Sequence, residues 1–253
     1  MVSPRTSAGD PARTLALLWR TENRSRKGPE RGLDVEGVVQ AATALADRDG
    51  LDAVTMRRLA QELGVSTMSL YTYVLGKDEL IDLMLDLAYQ QLPKPDTAGQ
   101  PWRRRLTAIA DANRTLYLAH PWAAAVSTVR PPLGPGLMAK YEYELSAFEG
   151  LGLTDVEMDD ALSYLLSFVQ ANARAAHDAR AGQLSSAMDD QQWWAANAPL
   201  LARVLDDTAF PLATRVGSAA GAAHGSAYDP EHAYHFGLER VLDGLAALIA
   251  GHR

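Results

Sequence analysis

The fold of this 253-residue chain is decided by residues 55–74, which read TMRRLAQELGVSTMSLYTYV. In this stretch Gly64 supplies the left-handed backbone conformation that a tight turn requires, and Ala60 is small enough to let two helices approach closely. The apolar residues spaced to hold those two helices together are Leu59, Leu63, Val65 and Leu70. The pattern predicts a helix-turn-helix unit, which holds its second helix out so that its N-terminal side chains enter a DNA major groove.

The second of these helices, predicted over residues 66–74, carries many polar groups for its length. Five of its residues offer hydroxyls for phosphates and base edges, namely Ser66, Thr67, Ser69, Tyr71 and Tyr73. Met68 is placed to contact the methyl group of a thymine. The alternative, a helical hairpin buried in an ordinary bundle, does not explain why so thin an apolar stripe accompanies these polar groups. The motif therefore favours DNA binding.

Helical patterns continue on both sides of the motif. Asp34 is a predicted N-cap for a helix whose apolar face runs to Ala46, and Lys77 opens a fourth helix with acidic residues in its first turn. The prolines between residues 93 and 101 then break the pattern. We therefore expect three regions, which are a basic, disordered arm over residues 1–32, a helix-turn-helix DNA-binding domain over 33–94 and a ligand-binding and dimerisation domain over 95–253.

The region after residue 95 also shows helical periodicity, and it contains no alternating apolar pattern of strand length. Thr154 and Glu157 form a capping box, and Asp229-Pro230 supplies a cap followed by a proline at the first helical position. Residues 216–226, which are rich in Gly, Ala and Ser, are predicted to be mobile. The expected helices cover residues 102–119, a short stretch after Pro121, 136–148, 154–180, 189–205 and 230–250. The chain is therefore predicted to be all-α.

Composition excludes several classes of protein. The chain has no cysteine, so disulfides and thiolate metal sites are excluded, and no apolar run approaches the roughly 20 residues that a membrane-spanning helix needs. We therefore expect a cytoplasmic protein without membrane contact. No Gly-x-Ser-x-Gly, phosphate-binding loop or His-Glu-x-x-His pattern occurs, so no enzyme is predicted. His232 and His235 have a spacing that could hold a metal, but surface histidines are far commoner, and we expect neither a metal nor a cofactor.

Charge is unevenly distributed along the chain, whose formal net charge is −7. Residues 1–32 contain seven basic and three acidic side chains, whereas residues 33–80 contain four basic and eight acidic ones. Because phosphate contacts dominate affinity for DNA, this acidic region needs attraction from elsewhere, and we expect Arg24, Arg26 and Lys27 in the arm to supply it. The alternative, a tail that is only solvated, fits the charge pattern equally well.

The stretch from Asp34 to Leu83 resembles the DNA-binding head of the TetR family of transcriptional regulators, in particular through LYTYVLGKDEL at residues 70–80. The resemblance implies that DNA is faced by Thr67, Met68, Ser69, Tyr71 and Tyr73. It further implies that phosphates are bound by Thr55, Arg57 and Lys77. Two such heads in a dimer would then bind a palindromic operator, with half-sites about one DNA turn apart.

The rest of the chain is similar, in the order of its motifs, to the C-terminal domain of the tetracycline-repressor subgroup. HPW at residues 120–122 precedes VRP at 129–131, and a capped long helix follows from Thr154. The resemblance implies a homodimer that pairs through two C-terminal helices, here 154–180 and 230–250, and both show a broad apolar face. In tetracycline repressors a His that helps hold the drug's magnesium precedes the Arg-Pro pair, but Val126 stands here. Binding of magnesium-tetracycline is therefore not implied.

The resemblance also implies a ligand pocket in this second domain. The domain is rich in aromatic side chains with polar groups nearby, so we expect a small, mostly apolar or aromatic effector. The candidate pocket residues are Trp102, Tyr117, His120, Trp122, Tyr141, Tyr164, Phe168, Asn172, His177 and Trp193. The expected function is a repressor that its effector releases from operator DNA. The alternative is a helical protein-interaction module, or a regulator that has lost its response to ligand or DNA.

Overall fold

The computed structural model describes residues 11–21, 33–186 and 188–252. Those residues form twelve α-helices and a 3₁₀ turn, Leu51–Ala53, which confirms the all-α prediction. The helices of the N-terminal part are α1 (Pro11–Leu18), α2 (Val35–Asp49), α3 (Met56–Leu63), α4 (Thr67–Leu70) and α5 (Lys77–Gln90). Those of the C-terminal part are α6 (Trp102–Ala119), α7 (Pro121–Ala125), α8 (Pro135–Ser146), α9 (Asp155–Ser186), α10 (Asp190–Val204), α11 (Pro211–His224) and α12 (Pro230–Ala250).

Helices α2 to α4 form the head, and side chains cap their first turns. The Asp34 carboxylate accepts a hydrogen bond from the Gly37 N–H at 2.8 Å, and the Thr55 hydroxyl accepts one from the Arg58 N–H at 3.2 Å. Gly64 ends α3 in the left-handed conformation, at a φ of 67°. The helices enclose an apolar core that contains the fully buried Val38, Leu45, Leu59 and Leu70. The predicted helix-turn-helix is confirmed.

The second helix of this motif is shorter than the sequence predicts. The prediction covers residues 66–74, but α4 ends at Leu70. Beyond it the Thr72 N–H donates to the Ser69 carbonyl at 3.2 Å, and the Tyr73 N–H donates to the Leu70 carbonyl at 2.9 Å. Because these bonds reach back only three residues, they close a tighter turn than an α-helix, and the regular helix stops.

Helix α5 is the linking helix between the head and the body, which comprises α6 to α12. Ten of its 14 residues are buried, Asp86 among them. The Asp86 carboxylate accepts a hydrogen bond from the Leu137 N–H at 2.9 Å and thereby caps the first turn of α8. Gly134 and Gly136 lie so close to Asp86 that a Cβ atom at either position would overlap it. The linking helix and the start of α8 are therefore in direct contact, with no room for a side chain at these glycines.

Part of the arm that the sequence predicts to be disordered is helical, because α1 packs against α5 and buries Leu18. After this helix the Trp19 indole N–H donates to the Leu133 carbonyl of the body at 2.8 Å. Arg20 then pairs with Glu36 of α2 at 3.1 Å. The overall polar composition of the first 32 residues obscured this short amphipathic segment. Residues 11–21 thus contact the head, the linking helix and the body together.

A second difference concerns residues 216–226, which the sequence predicts to be mobile. Most of them lie in α11, which begins with Pro211 at its first helical position. Alanine is the best helix former, and the alanines of this segment offset its glycines. Gly221 lies against the Trp194 indole, where a Cβ atom would overlap the ring. The glycine therefore serves the close approach of α10 and α11.

Helices α6, α9 and α12 build the core of the body, and each of them contacts the other two. Leu106, Leu165 and Tyr234 are fully buried between them. Helix α10, by contrast, contains no buried residue. In the part of the chain that the structure describes, no helix is both long and apolar enough to cross a membrane.

Candidate DNA-binding surface and ligand-binding sites

Helix α4 and the residue after it present a mostly polar surface to solvent. Met68 is 75% exposed and Tyr71 is 41% exposed, although Leu70 between them is fully buried. We define the recognition surface as Ser66, Thr67, Met68, Ser69 and Tyr71. The hydroxyls of Ser66 and Ser69 lie 2.9 Å apart and share a hydrogen bond. A short helix that displays hydroxyls, a thioether and a phenol can contact both phosphates and base edges.

One residue that the sequence predicts to face DNA lies in the core instead. Tyr73 is only 8% exposed, and it belongs to the buried cluster that also contains Leu70 and Val74. The turn that ends α4 brings its side chain to the inner side of the head. The expectation is therefore corrected, because Tyr73 supports the recognition surface from inside the head and is not part of it.

The three residues predicted to bind phosphates differ in their surroundings. The Thr55 hydroxyl is used to cap α3, and the Lys77 ammonium donates to the Leu51 carbonyl at 2.8 Å. Arg57 is exposed, and it forms no ion pair with any described residue. Of the three, Arg57 is therefore the residue whose charge is available to DNA, whereas Lys77 ties the linking helix to the 3₁₀ turn. The residues predicted to bind DNA from the arm lie outside the described residues, and they are Arg24, Arg26 and Lys27.

Helix α7 joins the head to the body through two residues that the sequence assigns to the ligand pocket. The Trp122 indole N–H donates to the Asp47 carboxylate of α2 at 2.7 Å, and His120 Nδ1 lies 2.8 Å from the same oxygen. Two residues further along the chain, the Ala124 carbonyl accepts a hydrogen bond from the Arg174 guanidinium of α9. Helix α7 is therefore held between the head and α9, and the polar groups of Trp122 and His120 bond to the head.

The other predicted pocket residues lie on α6, α8, α9 and α10. Phe168 stacks on Tyr234 with 6.0 Å between the ring centroids, and the Asn172 amide donates to the Pro230 carbonyl at 3.2 Å. The remaining members are the exposed Tyr141, Tyr164, His177 and Trp193, the half-buried Trp102 and the buried Tyr117. The assignment of these residues to a ligand pocket therefore stays a prediction.

Buried polar groups connect α5, α6 and α8 inside the body. We define this interior polar cluster as Tyr89, Asn113, Tyr117, Lys140 and Glu144. The Glu144 carboxylate accepts hydrogen bonds from the Asn113 amide at 2.6 Å and from the Lys140 ammonium at 2.7 Å. Burial lowers the pKa of Lys140, an effect that the adjacent Glu144 opposes, and burial also raises the pKa values of Tyr89 and Tyr117. The cluster therefore holds a buried ion pair in which the charge of Lys140 and the charge of Glu144 compensate each other.

A cavity of about 520 Å³ lies where the C-terminal half of α9 meets the start of α10 and the turn before α12. The residues that line it are Ala175, Asp178, Ala179, Asp190, Trp193, Ala227 and Tyr228. Trp193 is 45% exposed and Tyr228 is 42% exposed, so the cavity is open to solvent. Among these residues the sequence singles out only Trp193. The other lining residues follow no local sequence pattern, because they come from three separate stretches of the chain.

Helices α9 and α12 lie side by side and leave aromatic side chains exposed. Tyr164 of α9 is 56% exposed, and Phe236 of α12 is 58% exposed. The two helices approach closely where the Phe168 ring lies against Gly237, at which a Cβ atom would overlap the ring. A pair of helices with exposed aromatic groups is suited to four-helix packing between two subunits.

Two models of known protein families match the chain. The model described as bacterial regulatory proteins, tetR family, matches residues 38–84, and the model described as tetracyclin repressor-like, C-terminal domain, matches residues 93–249. The first match extends from α2 into α5, and the second extends from α6 to α12.

Individual proteins are similar over nearly the same length. The HTH-type transcriptional repressor DrrR1 of Streptomyces coeruleorubidus is 39% identical over 98% of this chain and 90% of its own. An HTH-type transcriptional regulator of Saccharopolyspora erythraea is 35% identical over 78% of this chain and 83% of its own. Among solved structures, the Streptomyces coelicolor TetR family protein ActR in complex with actinorhodin has a TM-score of 0.69 and 29% identity, over 85% of this chain and 96% of that chain.

Proposed function

Because this chain belongs to the TetR family of bacterial transcriptional regulators, we propose that it is a ligand-responsive repressor that binds a palindromic operator as a homodimer. The observation that carries the proposal is the recognition surface, an exposed polar helix on a buried apolar scaffold. The family consists of regulators, so the chain's activity is the control of transcription. On this proposal it acts in the bacterial cytoplasm, where the chromosome lies.

In the proposed homodimer two copies of the chain pair through α9 and α12. The exposed Tyr164 and Phe236 then become buried between the subunits, which removes apolar surface from water. Twofold symmetry places two recognition surfaces on the same side of the dimer. A palindromic operator presents the same bases to each of them, with half-sites separated by about one DNA turn.

A small-molecule effector releases the proposed repressor from its operator. The complex of ActR with actinorhodin supports this step, since a relative with the same fold binds a small molecule. In this chain the linking helix α5 and the short helix α7 both contact the head, so a rearrangement of the body reaches it by two routes. Only a ligand that binds the DNA-free arrangement more tightly than the DNA-bound one lowers the affinity for the operator.

Operator binding is tested with the purified protein and the intergenic DNA upstream of its own gene. We expect a sequence-specific complex of one dimer per site, whose affinity falls steeply as the salt concentration rises. Selection from random DNA then defines the palindrome. If the protein forms a dimer but selects no sequence, repressor function is excluded, and a helical protein-interaction module becomes the favoured alternative.

Replacing Arg24, Arg26 and Lys27 together with glutamine is expected to weaken operator binding and to flatten its salt dependence. Each phosphate contact contributes about 0.9 to the slope of log K against log salt concentration. Loss of three contacts in each of two subunits would therefore reduce the slope by up to about 5. Operator titrations at four or more salt concentrations measure this slope.

Substitution is a cleaner test than deletion of the N-terminus, because residues 11–21 contact α5, α2 and Leu133 and a deletion would disturb them as well. The control variant replaces the exposed Arg203 and Arg215 of the body with glutamine and is expected to keep the wild-type slope. An unchanged slope in the triple variant would mean that the basic segment is only solvated.

A further inference from the structure

We propose that the effector of this repressor binds in the cavity between α9, α10 and the turn before α12, and that it is an aromatic organic cation. The assignment rests on the proposed function, because it names the ligand to which the repressor responds. The cavity supports it in three ways, through its aromatic walls, its carboxylates and its connection to the head.

The walls of the cavity suit a flat aromatic group. Trp193 and Tyr228 supply two aromatic side chains, and Ala175 and Ala179 supply small apolar surfaces one helical turn apart on α9. The volume of about 520 Å³ is that of a small-molecule site. Aromatic ligands stack on such rings and remove their apolar surface from water. The Trp193 indole N–H and the Tyr228 hydroxyl bond to no other described residue and are therefore available to a ligand.

Two carboxylates determine the charge of the cavity. Asp190 accepts a hydrogen bond from the Gln183 amide at 2.7 Å, and neither Asp190 nor Asp178 forms an ion pair with any Lys or Arg that the structure describes. On α9, Arg174 lies one turn before Asp178 and donates to the Ala124 carbonyl. Arg180 lies two residues after Asp178 and so on a different side of the helix. A cationic ligand is therefore attracted by the two aspartates among the lining residues and also gains from the aromatic faces. An anionic ligand is repelled, and a neutral one gains only from the walls.

Two hydrogen bonds connect the part of α9 beside the cavity to the head through α7. Arg174 lies one helical turn before Asp178 on α9, and its guanidinium donates to the Ala124 carbonyl of α7. In the same short helix the Trp122 indole donates to the Asp47 carboxylate of the head. Because residues four apart on a helix interact, a cation at Asp178 changes the electrostatic environment of Arg174. The resulting shift of α9 against α7 is passed to the head through the Trp122–Asp47 hydrogen bond.

Binding is tested with the full-length protein and two probes that differ in charge. 1-Naphthylmethylamine is a cation at neutral pH, and its N-acetyl derivative carries the same ring without the charge. Calorimetry is expected to show that the cation binds at least fivefold more tightly. Asp178→Asn is expected to weaken binding of the cation by about tenfold, which corresponds to about 1.4 kcal/mol, and to leave the acetylated probe unchanged.

Two further variants keep the binding test independent of folding. Asp207→Asn removes an exposed carboxylate from the turn between α10 and α11, and it is expected to change the affinity for neither probe. Trp193→Ala removes a wall of the cavity and is expected to weaken both probes. Thermal unfolding compares each variant with the wild type, so that a loss of affinity is scored only in folded protein.

The same probes are then added to the operator complex. We expect the cation to lower the affinity for the operator and the acetylated probe to do so only at higher concentration. Trp122→Phe keeps an aromatic ring but removes the indole N–H that bonds to Asp47. This variant is expected to bind the cation as the wild type does in the absence of DNA, and to show at least a threefold smaller effect of the cation on operator affinity.

Three results would overturn the assignment, and each differs from a failure of the proposed function. The wild type could bind both probes equally, Asp178→Asn could bind the cation like the wild type, or the cation could bind without any change in operator affinity. A ligand-free protein that binds no operator at all contradicts the repressor function itself. A cation effect that survives Trp122→Phe undiminished contradicts the route through α7.

Discussion

Replacing Tyr71 with alanine is expected to lower the affinity for the operator by about 30-fold or more, while the protein stays folded. Tyr71 is 41% exposed on the recognition surface, so its removal takes little from the core of the head. A hydrogen bond to DNA contributes about 1 kcal/mol, and a homodimer loses the contact twice. The doubled value corresponds to about 30-fold in affinity. Fluorescence anisotropy with a labelled operator at fixed salt measures this loss.

Tyr141→Ala is the matched control, because it removes a tyrosine of similar exposure that lies in the body. It is expected to leave the affinity for the operator unchanged. Tyr73→Ala cannot replace Tyr71→Ala in this test. Removing an aromatic side chain from a core costs about 3–5 kcal/mol, so the loss of DNA binding would follow from unfolding of the head. Wild-type affinity in the folded Tyr71→Ala variant would contradict the place of Tyr71 on the recognition surface.

The largest loss of stability is expected from Glu144→Leu. This change leaves the Lys140 ammonium buried without its carboxylate and removes one of the two acceptors of the Asn113 amide. Breaking a buried pair by removal of one partner costs about 3–5 kcal/mol. Urea unfolding followed by circular dichroism measures the free energy of unfolding. Adding Lys140→Met to the Glu144→Leu variant is expected to recover most of the lost stability, because the double variant contains no uncompensated charge.

The pH dependence of the Glu144→Leu variant provides an independent check. Burial already lowers the pKa of Lys140 below its ordinary 10.5, and without Glu144 we expect it to fall further. In the window between the folded-state pKa and 10.5, the unfolded chain binds more protons than the folded one. The stability of the variant relative to the wild type should therefore rise as the pH rises through that window. A variant that is as stable as the wild type at neutral pH would show that the ion pair makes no net contribution.

The elements that local interactions determine could be predicted from the sequence. Helices α6 and α12 begin and end where they were expected, and α3 ends at the predicted Gly64 turn. At its N-terminus α3 has the Thr55 hydroxyl cap, α6 follows Pro101, and α12 begins at Asp229-Pro230. These signals act within one helical turn, so they need no knowledge of the rest of the fold.

The parts that depend on distant contacts could not be predicted. Helix α1 is held through Trp19, whose partner Leu133 lies 114 residues away. Trp122 was assigned to a ligand pocket because aromatic residues often line such sites, yet its partner Asp47 lies 75 residues earlier in the head. The cavity likewise combines three stretches whose proximity no periodicity indicates. Residue type identified candidates for contact, but only tertiary structure assigned their partners.

The contact between α5 and α8 restricts how this sequence can diverge. Gly134 and Gly136 lie against Asp86 with no room for a Cβ atom, so a side chain at either position would push the linking helix away from the body. Among descendants of this gene we expect the residues around the cavity to change as new effectors are encountered, whereas these two glycines should stay invariant. Descendant repressors can therefore respond to a new effector through substitutions on α9 and α10 while they keep the same contact between α5 and α8.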